Sequence, residues 1–247
     1  MSCGRLSRVI IDTGTEELLR AAVRNNAEWC AAVSGGGAFT ADAWTSARRT
    51  PPYYPDGVTL TREAPAEALL AAMDTGSPGC SVKDSFAALD LAPAGFEVLF
   101  GAEWIHRPAN APAPAAAATA LAWTRVADAG ELAGWEAAWG GGEGTGLFHP
   151  GLLTPEIAFL AGRSADGRVL AGAAANRTGA VVGLSNVFTA DGTPDDEAWA
   201  GALAAVAKLW PGLPVVGYES GDDLDTALRH GFTPLGPLRI WLHTSPA

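Results

Sequence analysis

The second half of the chain has the clearest alternation of apolar and polar positions. Three apolar runs separated by short glycine-containing turns predict a meander of antiparallel strands at Ile157–Arg163, Val169–Asn176 and Ala180–Phe188. A strand at Leu121–Val126 and a short helix at Glu131–Trp139 are predicted ahead of the meander. This half therefore begins with a strand and a helix that lead into three antiparallel strands.

Helical and extended patterns alternate in the rest of this half. A helix is predicted at Thr193–Trp210, because Thr-Pro followed by acidic residues is typical of a helix start. The strand Leu213–Tyr218 and the helix Asp222–His230 come next. Two final strands, near Phe232 and at Leu238–His243, are predicted to form a closing hairpin.

The first half has a shorter pattern. It predicts a strand at Arg8–Asp12, a helix from Thr15 to about Val33, a strand at Gly57–Arg62 and a helix at Ala66–Met73. A proline-rich turn, TPPYYPDG, precedes the second of these strands. No three-strand meander is predicted in this half.

The two halves have similar endings. Cys80–Arg107 and Val215–His243 each predict an apolar strand, a polar turn, an amphipathic helix of about ten residues and a returning strand. Gly95 and Gly231 stand where a helix C-cap requires a positive φ, and a Phe follows each of them. We interpret this likeness as an internal duplication.

A segment rich in proline and alanine divides the halves. It runs from Pro108 to Ala120, reads PANAPAPAAAATA, and is predicted to be a semi-rigid linker. The predicted domains are residues 1–108 and 120–247, with the linker at 109–119. The alternation of helices with strands predicts an α/β class with a mixed sheet.

Composition and charge exclude several functional classes. The chain has 27 Asp and Glu against 16 Lys and Arg, a formal charge of −11, which disfavours nucleic acid and anionic membrane as partners. Cys3, Cys30 and Cys80 lie far apart, and no Cys/His group has metal-ligand spacing, so neither a disulfide framework nor a metal site is predicted. The first residues are too polar for a signal peptide, and we expect a cytoplasmic protein.

The order of elements in the second half, together with its ending VVGYESGDDLDTALRHGFTPLGPLRIWL, resembles the GNAT family of N-acetyltransferases. The resemblance covers about residues 121–243, and the first half resembles a truncated copy. It implies a tandem GNAT-like fold with a truncated N-terminal half. It also implies an acyl-CoA cofactor, such as acetyl-CoA, that enters between two splayed strands and gives its acyl group to an amine.

The resemblance places the cofactor at the end of the strand Ala180–Phe188 and the start of the following helix. The residues that it implies are Val187, Phe188, Thr189, Gly192 and Thr193. Backbone N–H groups at such a helix start suit a pyrophosphate. The segment Asn186–Glu197 departs from the family's glycine-rich loop, since it has one glycine and four acidic residues. These carboxylates would repel a pyrophosphate, so we expect weak CoA binding.

Tyr218 and Glu219, at the end of a strand, are the candidate catalytic pair. A carboxylate there could take the proton from an attacking amine, and a phenol could return a proton to a thiolate. The alternative is a strand-edge tyrosine and a solvated glutamate. Ser185 and Asn186 are candidates for binding a substrate carbonyl, although they could simply end their strand.

Five other residues are candidates for binding the substrate. Lys83 and Asp84 occupy the position in the first half that matches the catalytic pair, and the alternative is a structural ion pair at a helix start. Asn26 and Trp29 lie on the first helix, where a mid-helix asparagine indicates a polar pocket. Tyr54 lies in the proline-rich turn, and adjacent tyrosines can line a substrate site.

Two functions are consistent with these observations. The first is an acyl-CoA-dependent N-acyltransferase that acts on the amine of a small molecule, as a monomer or homodimer. The acidic net charge favours a cationic acceptor. The alternative is a GNAT-fold protein with an altered CoA loop, which serves as a binding module or catalyses a CoA-independent reaction.

Overall fold

A mixed sheet of eleven strands runs through both halves of the chain. The structure is a computed structural model that describes residues 13–77, 79–112, 121–190 and 192–244. The strands are β1 (Ala38–Phe39), β2 (Ala43–Thr45), β3 (Gly57–Thr59), β4 (Ser81–Asp84), β5 (Phe96–Arg107), β6 (Ala122–Arg125), β7 (Ile157–Arg163), β8 (Val169–Thr178), β9 (Val181–Thr189), β10 (Val215–Glu219) and β11 (Thr233–His243). The helices are α1 (Thr13–Val33), α2 (Ala66–Ala71), α3 (Ala129–Trp139), α4 (Asp195–Leu209) and α5 (Gly221–Arg229). The predicted α/β class with a mixed sheet is confirmed.

The last strand of each half pairs with the other half. The sheet order is β1-β2-β3-β4-β11-β5-β10-β9-β8-β7-β6. β4 pairs with β11 and β10 pairs with β5, both antiparallel, while β5 and β11 pair with each other at the centre. β3 is parallel to β4, and β9 is parallel to β10. On each side of the central pair β5–β11, an antiparallel partner (β4 or β10) is therefore followed by a parallel one (β3 or β9). The sheet is nevertheless continuous, so the internal duplication and the domain boundaries stay predictions.

Most elements of the second half form where the sequence predicts them. The strands β7, β8 and β9 form the antiparallel meander. α4 begins at Asp195, with Pro194 instead of Thr193 in the N-cap position. Gly95 ends a 3₁₀ turn and Gly231 follows the C-cap of α5, and both have a positive φ, +82° and +85°.

Three predicted features are wrong. No α-helix lies between β4 and β5, because the Asp84 carboxylate accepts hydrogen bonds from three backbone N–H groups of a turn, and Pro93 follows in a single 3₁₀ turn at Ala92–Ala94. The closing hairpin is instead one long strand, β11, which pairs along β5 with an irregularity beside Gly236. The first half does contain a meander, β1–β2–β3, whose strands of two or three residues are too short to give a periodic pattern.

Two predicted segments fall wholly or partly outside the described residues. The strand expected at Arg8–Asp12 lies outside them, as does the linker after residue 112. Residues 108–112 contain a turn and no helix or strand.

Helices cover both faces of the meander. α1 and α3 pack on one face, where Trp29, Trp135 and Phe159 are buried together. α4 and α5 pack on the other face through Leu203 and Ala227. Since both faces are covered, β7 and β8 are apolar through most of their length. The pairing of β8 with β9 fixes the position of β9 in the sheet.

Candidate functional site

A cleft opens between β9 and β10. The two strands pair only at Val182 with Val215 and at Gly183 with Val216. β9 then continues to Thr189 and β10 to Glu219 without pairing to each other. Parallel strands that separate leave the backbone groups of their facing edges available to a ligand. The splayed strand pair implied by the resemblance is therefore present.

A β-bulge at Asn186 turns β9 at the entrance of this cleft. Phe188 pairs with Gly172 and Ser185 with Ala174, so two residues of β9 stand opposite one residue of β8. Asn186 has a φ of +51°, which is uncommon for a residue other than glycine. Bulges of this kind redirect a side chain, and the Asn186 amide oxygen lies 3.5 Å from the Tyr54 hydroxyl.

An inner cavity of about 190 Å³ lies at the ends of β9 and β10. It brings together eight of the nine predicted catalytic and substrate residues. They are Asn26, Trp29, Tyr54, Lys83, Ser185, Asn186, Tyr218 and Glu219, and Cys30, Tyr53, Pro55 and Leu184 complete the wall. These residues come from α1, the proline-rich turn, β4, β9 and β10, so both halves of the chain build the inner cavity.

Asp84 is the predicted substrate residue that does not line the inner cavity. It is 1% exposed, and its carboxylate accepts hydrogen bonds from the backbone of Phe86, Ala88 and Leu89. This carboxylate holds the turn after β4 and lies outside the inner cavity, and its binding of substrate stays a prediction. The alternative prediction of an ion pair with Lys83 is wrong, since no such pair forms.

Lys83 is buried between two neutral side chains. Its Nζ atom donates a hydrogen bond of 2.6 Å to Asn26 Oδ1 and lies 4.1 Å from the centre of the Tyr218 ring. The Cys30 thiol also approaches Asn26 Oδ1, at 3.7 Å. Burial raises the pKa of Cys30, and the charge of Lys83 offsets part of that rise. The inner cavity therefore has a fixed positive charge on one wall.

Glu219 is the titratable carboxylate of the inner cavity. Burial raises its pKa to about 8, and the nearby Asp223 carboxylate adds to the rise. A carboxyl group with a pKa near neutrality can exchange a proton with a substrate at physiological pH. This placement makes it the best candidate for a general base among the predicted residues.

Tyr218 is held beside Glu219 by aromatic packing. Its ring packs edge-on against Trp104, with 5.4 Å between the ring centres. Trp104 is itself fixed by a hydrogen bond of 2.8 Å from its indole N–H to the Ser85 carbonyl oxygen. The Tyr218 ring is therefore positioned from both sides, by Trp104 and by Lys83.

The two adjacent asparagines of α1 have different roles. Asn25 exchanges hydrogen bonds with Asn176 of β8, each side-chain amide donating to the other's backbone carbonyl oxygen, at 2.9 and 3.1 Å. This pair fits only because Gly183 lacks a side chain, since a Cβ there would lie 1.9 Å from Asn25 Oδ1. Asn25 thus fixes α1 to the sheet, and Asn26 is left to face the inner cavity.

Asp56 holds the proline-rich turn that forms one wall. This carboxylate is buried and accepts hydrogen bonds from the Arg49 guanidinium, the Thr50 backbone and the Ser81 backbone. The turn thereby places Tyr54 inside the cavity wall and leaves Tyr53 83% exposed, with its ring against Trp139. Burial raises the pKa of Tyr54 well above its usual value, so it acts as a neutral hydroxyl.

A second, mainly apolar crevice of about 590 Å³ adjoins the inner cavity at Lys83 and Tyr218. Leu99, Phe100, Ile240 and Leu242 line it on the side of β5 and β11. These residues were not predicted from the sequence, because apolar positions in strands normally indicate a core. The signal that could have found them is the run Val98–Phe100, three consecutive apolar residues that are all exposed.

The predicted cofactor residues lie beyond the bulge, outside the inner cavity. Val187, Phe188 and Thr189 follow Asn186 on β9, and Gly192 and Thr193 lie in the loop before α4. The Phe188 ring packs against Trp135 in the core, with 5.2 Å between the ring centres. Only its backbone is therefore available to a ligand in the cleft.

The start of α4 is occupied by its own carboxylates. Asp195, Asp196 and Glu197 form the first turn, and Asp195 accepts a hydrogen bond of 2.9 Å from the Thr189 hydroxyl. One oxygen of Glu197 is buried without a hydrogen-bond partner. Burial raises the pKa of Asp223 nearby, and the charge of Asp195 adds to the rise. Negative charge is therefore crowded where a pyrophosphate would be expected.

Solved structures with similar folds exist at low sequence identity. A GCN5-related N-acetyltransferase from Kribbella flavida is 16% identical, covers 91% of this chain and 96% of its own, and superposes with a TM-score of 0.62. A protein of unknown function from Staphylococcus epidermidis is 11% identical over 84% of this chain and 93% of its own, with a TM-score of 0.59. A GCN5-related N-acetyltransferase-like protein from Streptococcus suis is 12% identical over 94% of this chain and 100% of its own, with a TM-score of 0.52.

The chain has the GNAT fold. Neither a protein-family model nor a curated protein matches its sequence. None of the helices in the described part of the chain combines the length and apolar content that a bilayer crossing needs. The same described residues contain no group of three or more His, Cys, Asp or Glu side chains arranged to hold a metal ion.

Proposed function

We propose that the protein transfers an acyl group from an acyl-CoA thioester to the amine of a small molecule bound in the inner cavity. The main support is the position of Glu219, a carboxyl group with a pKa of about 8, where the splayed strands β9 and β10 meet the inner cavity. The GNAT fold supports the same reaction class, since relatives in that fold include N-acetyltransferases.

The residues of the inner cavity divide the proton transfers between them. An amine attacks a carbonyl only in its neutral form, and the Glu219 carboxylate would take the proton that the ammonium loses. The Tyr218 hydroxyl would supply a proton to the leaving thiolate as the carbon–sulfur bond breaks, which gives the free thiol. The backbone N–H groups of β9 beside the Asn186 bulge would face the carbonyl oxygen of the acyl group.

The residues present fit one part of an acyl-CoA donor well and another part poorly. The cleft beyond the bulge, along Val187–Thr189, offers strand backbone to the arm of the donor. When bound, the donor supplies an activated thioester carbonyl. The pyrophosphate end would meet Asp195, Asp196 and Glu197.

Four basic side chains of the described residues that could compensate for these acids are already paired. Arg163 and Arg177 already pair with Glu131 and Glu156. Arg229 and His230 pair with Asp196 itself. We therefore expect weak binding of the nucleotide end of the donor.

A comparison of two donors tests the proposal. Acetyl-CoA and the short thioester S-acetyl-N-acetylcysteamine, which lacks the pyrophosphate, would each be incubated with a panel of small amines, and the released thiol measured. We expect amine-dependent thiol release from both donors at similar efficiency, because the phosphates add little affinity. If neither donor gives amine-dependent thiol release, the proposal is overturned.

The acidic start of α4 favours a second candidate, a binding module without acyl transfer. In that case small amines would bind to the inner cavity, as detected by calorimetry, but no thioester would be consumed. Thiol release and calorimetric binding of amines, measured together, therefore separate the two functions.

A further inference from the structure

Among the residues that the structure describes, none is a counter-ion for the lysine on the wall of the inner cavity. Lys83 is 2% exposed, and its ammonium contacts only the Asn26 amide oxygen and the Tyr218 ring among the described residues. An ammonium group has three N–H donors, and Asn26 accepts from one of them. A buried charge is normally paired with an opposite charge, because its removal from water is costly.

The carboxylates that could pair with Lys83 are engaged elsewhere or neutral. Asp84, its neighbour in sequence, binds the backbone of the following turn. Asp56 binds Arg49, the other cation beside the apolar crevice. Glu219 has a pKa of about 8, so it is mostly protonated at neutral pH. Within the described residues the Lys83 ammonium therefore has no carboxylate partner, although the chain as a whole has a charge of −11.

We infer that Lys83 binds the carboxylate of the acceptor, and that the acceptor is an apolar amino acid. The ligand carboxylate would supply the missing counter-ion, with charge-assisted hydrogen bonds to the free N–H donors of Lys83. The inference that the amine is the reacting group rests on the proposed function. The inference that Lys83 binds a ligand carboxylate does not depend on acyl transfer.

The arrangement of the cavity fits both groups of an α-amino acid. Its amine and carboxylate are attached to one carbon, so they need recognition sites that lie close together. Lys83 and Glu219 both line the inner cavity, and Lys83 lies there against the ring of Tyr218. The amine would face Glu219 while the carboxylate meets Lys83.

The apolar crevice would hold the side chain of the amino acid. It opens from Lys83 and Tyr218 and is lined by Leu99, Ile240 and Leu242. Its volume of about 590 Å³ is ample for a leucine or phenylalanine side chain. Burial of that side chain would add a hydrophobic contribution to the binding free energy, which a small polar amine lacks.

Calorimetric titration without any acyl donor tests the inference. L-Phenylalanine would be compared with phenethylamine, and L-leucine with 3-methylbutylamine, since each pair differs only in the carboxylate. We expect the wild-type protein to bind each acid about ten- to a hundredfold more tightly than its amine. Lys83→Met, which keeps the length of the side chain, should abolish that preference. Lys208→Met removes the only other lysine, an exposed residue of α4, and should retain it.

Several outcomes would overturn the inference. These are equal affinity of the wild-type protein for the acids and the amines, no binding of either acid at millimolar concentration, or a carboxylate preference that survives in a folded Lys83→Met variant. If that variant does not fold, the comparison of ligands on the wild-type protein decides. Tight binding of the acids without acyl transfer would leave the carboxylate site standing and remove the proposed function.

Discussion

The Lys83 ammonium lies 4.1 Å from the centre of the Tyr218 ring, although β4 and β10 are separated in the sheet by β11 and β5. In a flat sheet, strands three positions apart would be about 14 Å from each other. The contact therefore depends on two long side chains, the lysine and the tyrosine, that reach towards each other across β11 and β5. It also joins the two halves of the chain within the inner cavity.

Glu219→Gln should reduce turnover by about a hundredfold or more, because it removes the proton acceptor and keeps the shape of the side chain. Steady-state rates of acyl transfer would measure the effect. Glu97→Gln, on the exposed part of β5, is the matched control and should have no effect. Equal rates for wild type and Glu219→Gln would exclude Glu219 as the base.

The pH dependence of kcat/KM should follow the ionisation of Glu219. Since its pKa is raised to about 8, the carboxylate is the minor form at pH 7, and the rate should increase with pH up to and through 8. The remaining activity of Glu219→Gln should not show this step. A wild-type profile that is already flat at pH 6 would contradict the assignment.

Tyr218→Phe should lower kcat by about tenfold or more if the hydroxyl protonates the leaving thiolate, with little change in KM. The variant keeps the ring, so the contact with Lys83 and the packing on Trp104 should remain. Tyr218→Leu, which removes the ring as well, should weaken acceptor binding in addition. If Tyr218→Phe has full activity, water supplies the proton.

Asp195→Asn should strengthen acetyl-CoA binding by about two- to fivefold at low salt, because it removes one negative charge from the start of α4. The asparagine can still accept the hydrogen bond from Thr189. Glu67→Gln, an exposed position on α2, serves as the control for net charge. Affinity would be measured by calorimetry, and an unchanged or weaker affinity for Asp195→Asn would show that the donor phosphates lie elsewhere.

Neither half of the chain should fold alone. A piece ending at residue 112 would leave β5 without β10 and β4 without β11, and a piece starting at 121 would leave β10 without β5. Circular dichroism and thermal unfolding of each piece, and of an equimolar mixture, would test this. We expect cooperative unfolding only in the mixture, and a cooperative transition in either separate half would be evidence for independent domains.

The sequence determined the elements whose signals are local. Strand alternation with hairpin turns predicted the meander β7–β9, and the Thr-Pro-acid pattern predicted α4 to within two residues. Eight of the residues that the sequence singled out lie together around the inner cavity, and their roles stay predictions. Each of these signals depends on residues that are adjacent in sequence. It can therefore be interpreted without knowing which distant residues pack against them in the folded chain.

The tertiary structure alone decided the features that depend on distant partners. The exchange of β5 and β11 between the halves is a choice of pairing partner, and the strand pattern is the same whichever partner is chosen. The backbone partners of Asp84 could not be foreseen from the sequence, which made it a binding candidate or, alternatively, the ion-pair partner of Lys83. The unpaired charge in the inner cavity exists because the fold brings Lys83 to Asn26 and Tyr218, instead of to a carboxylate, and no local pattern in the sequence encodes that contact.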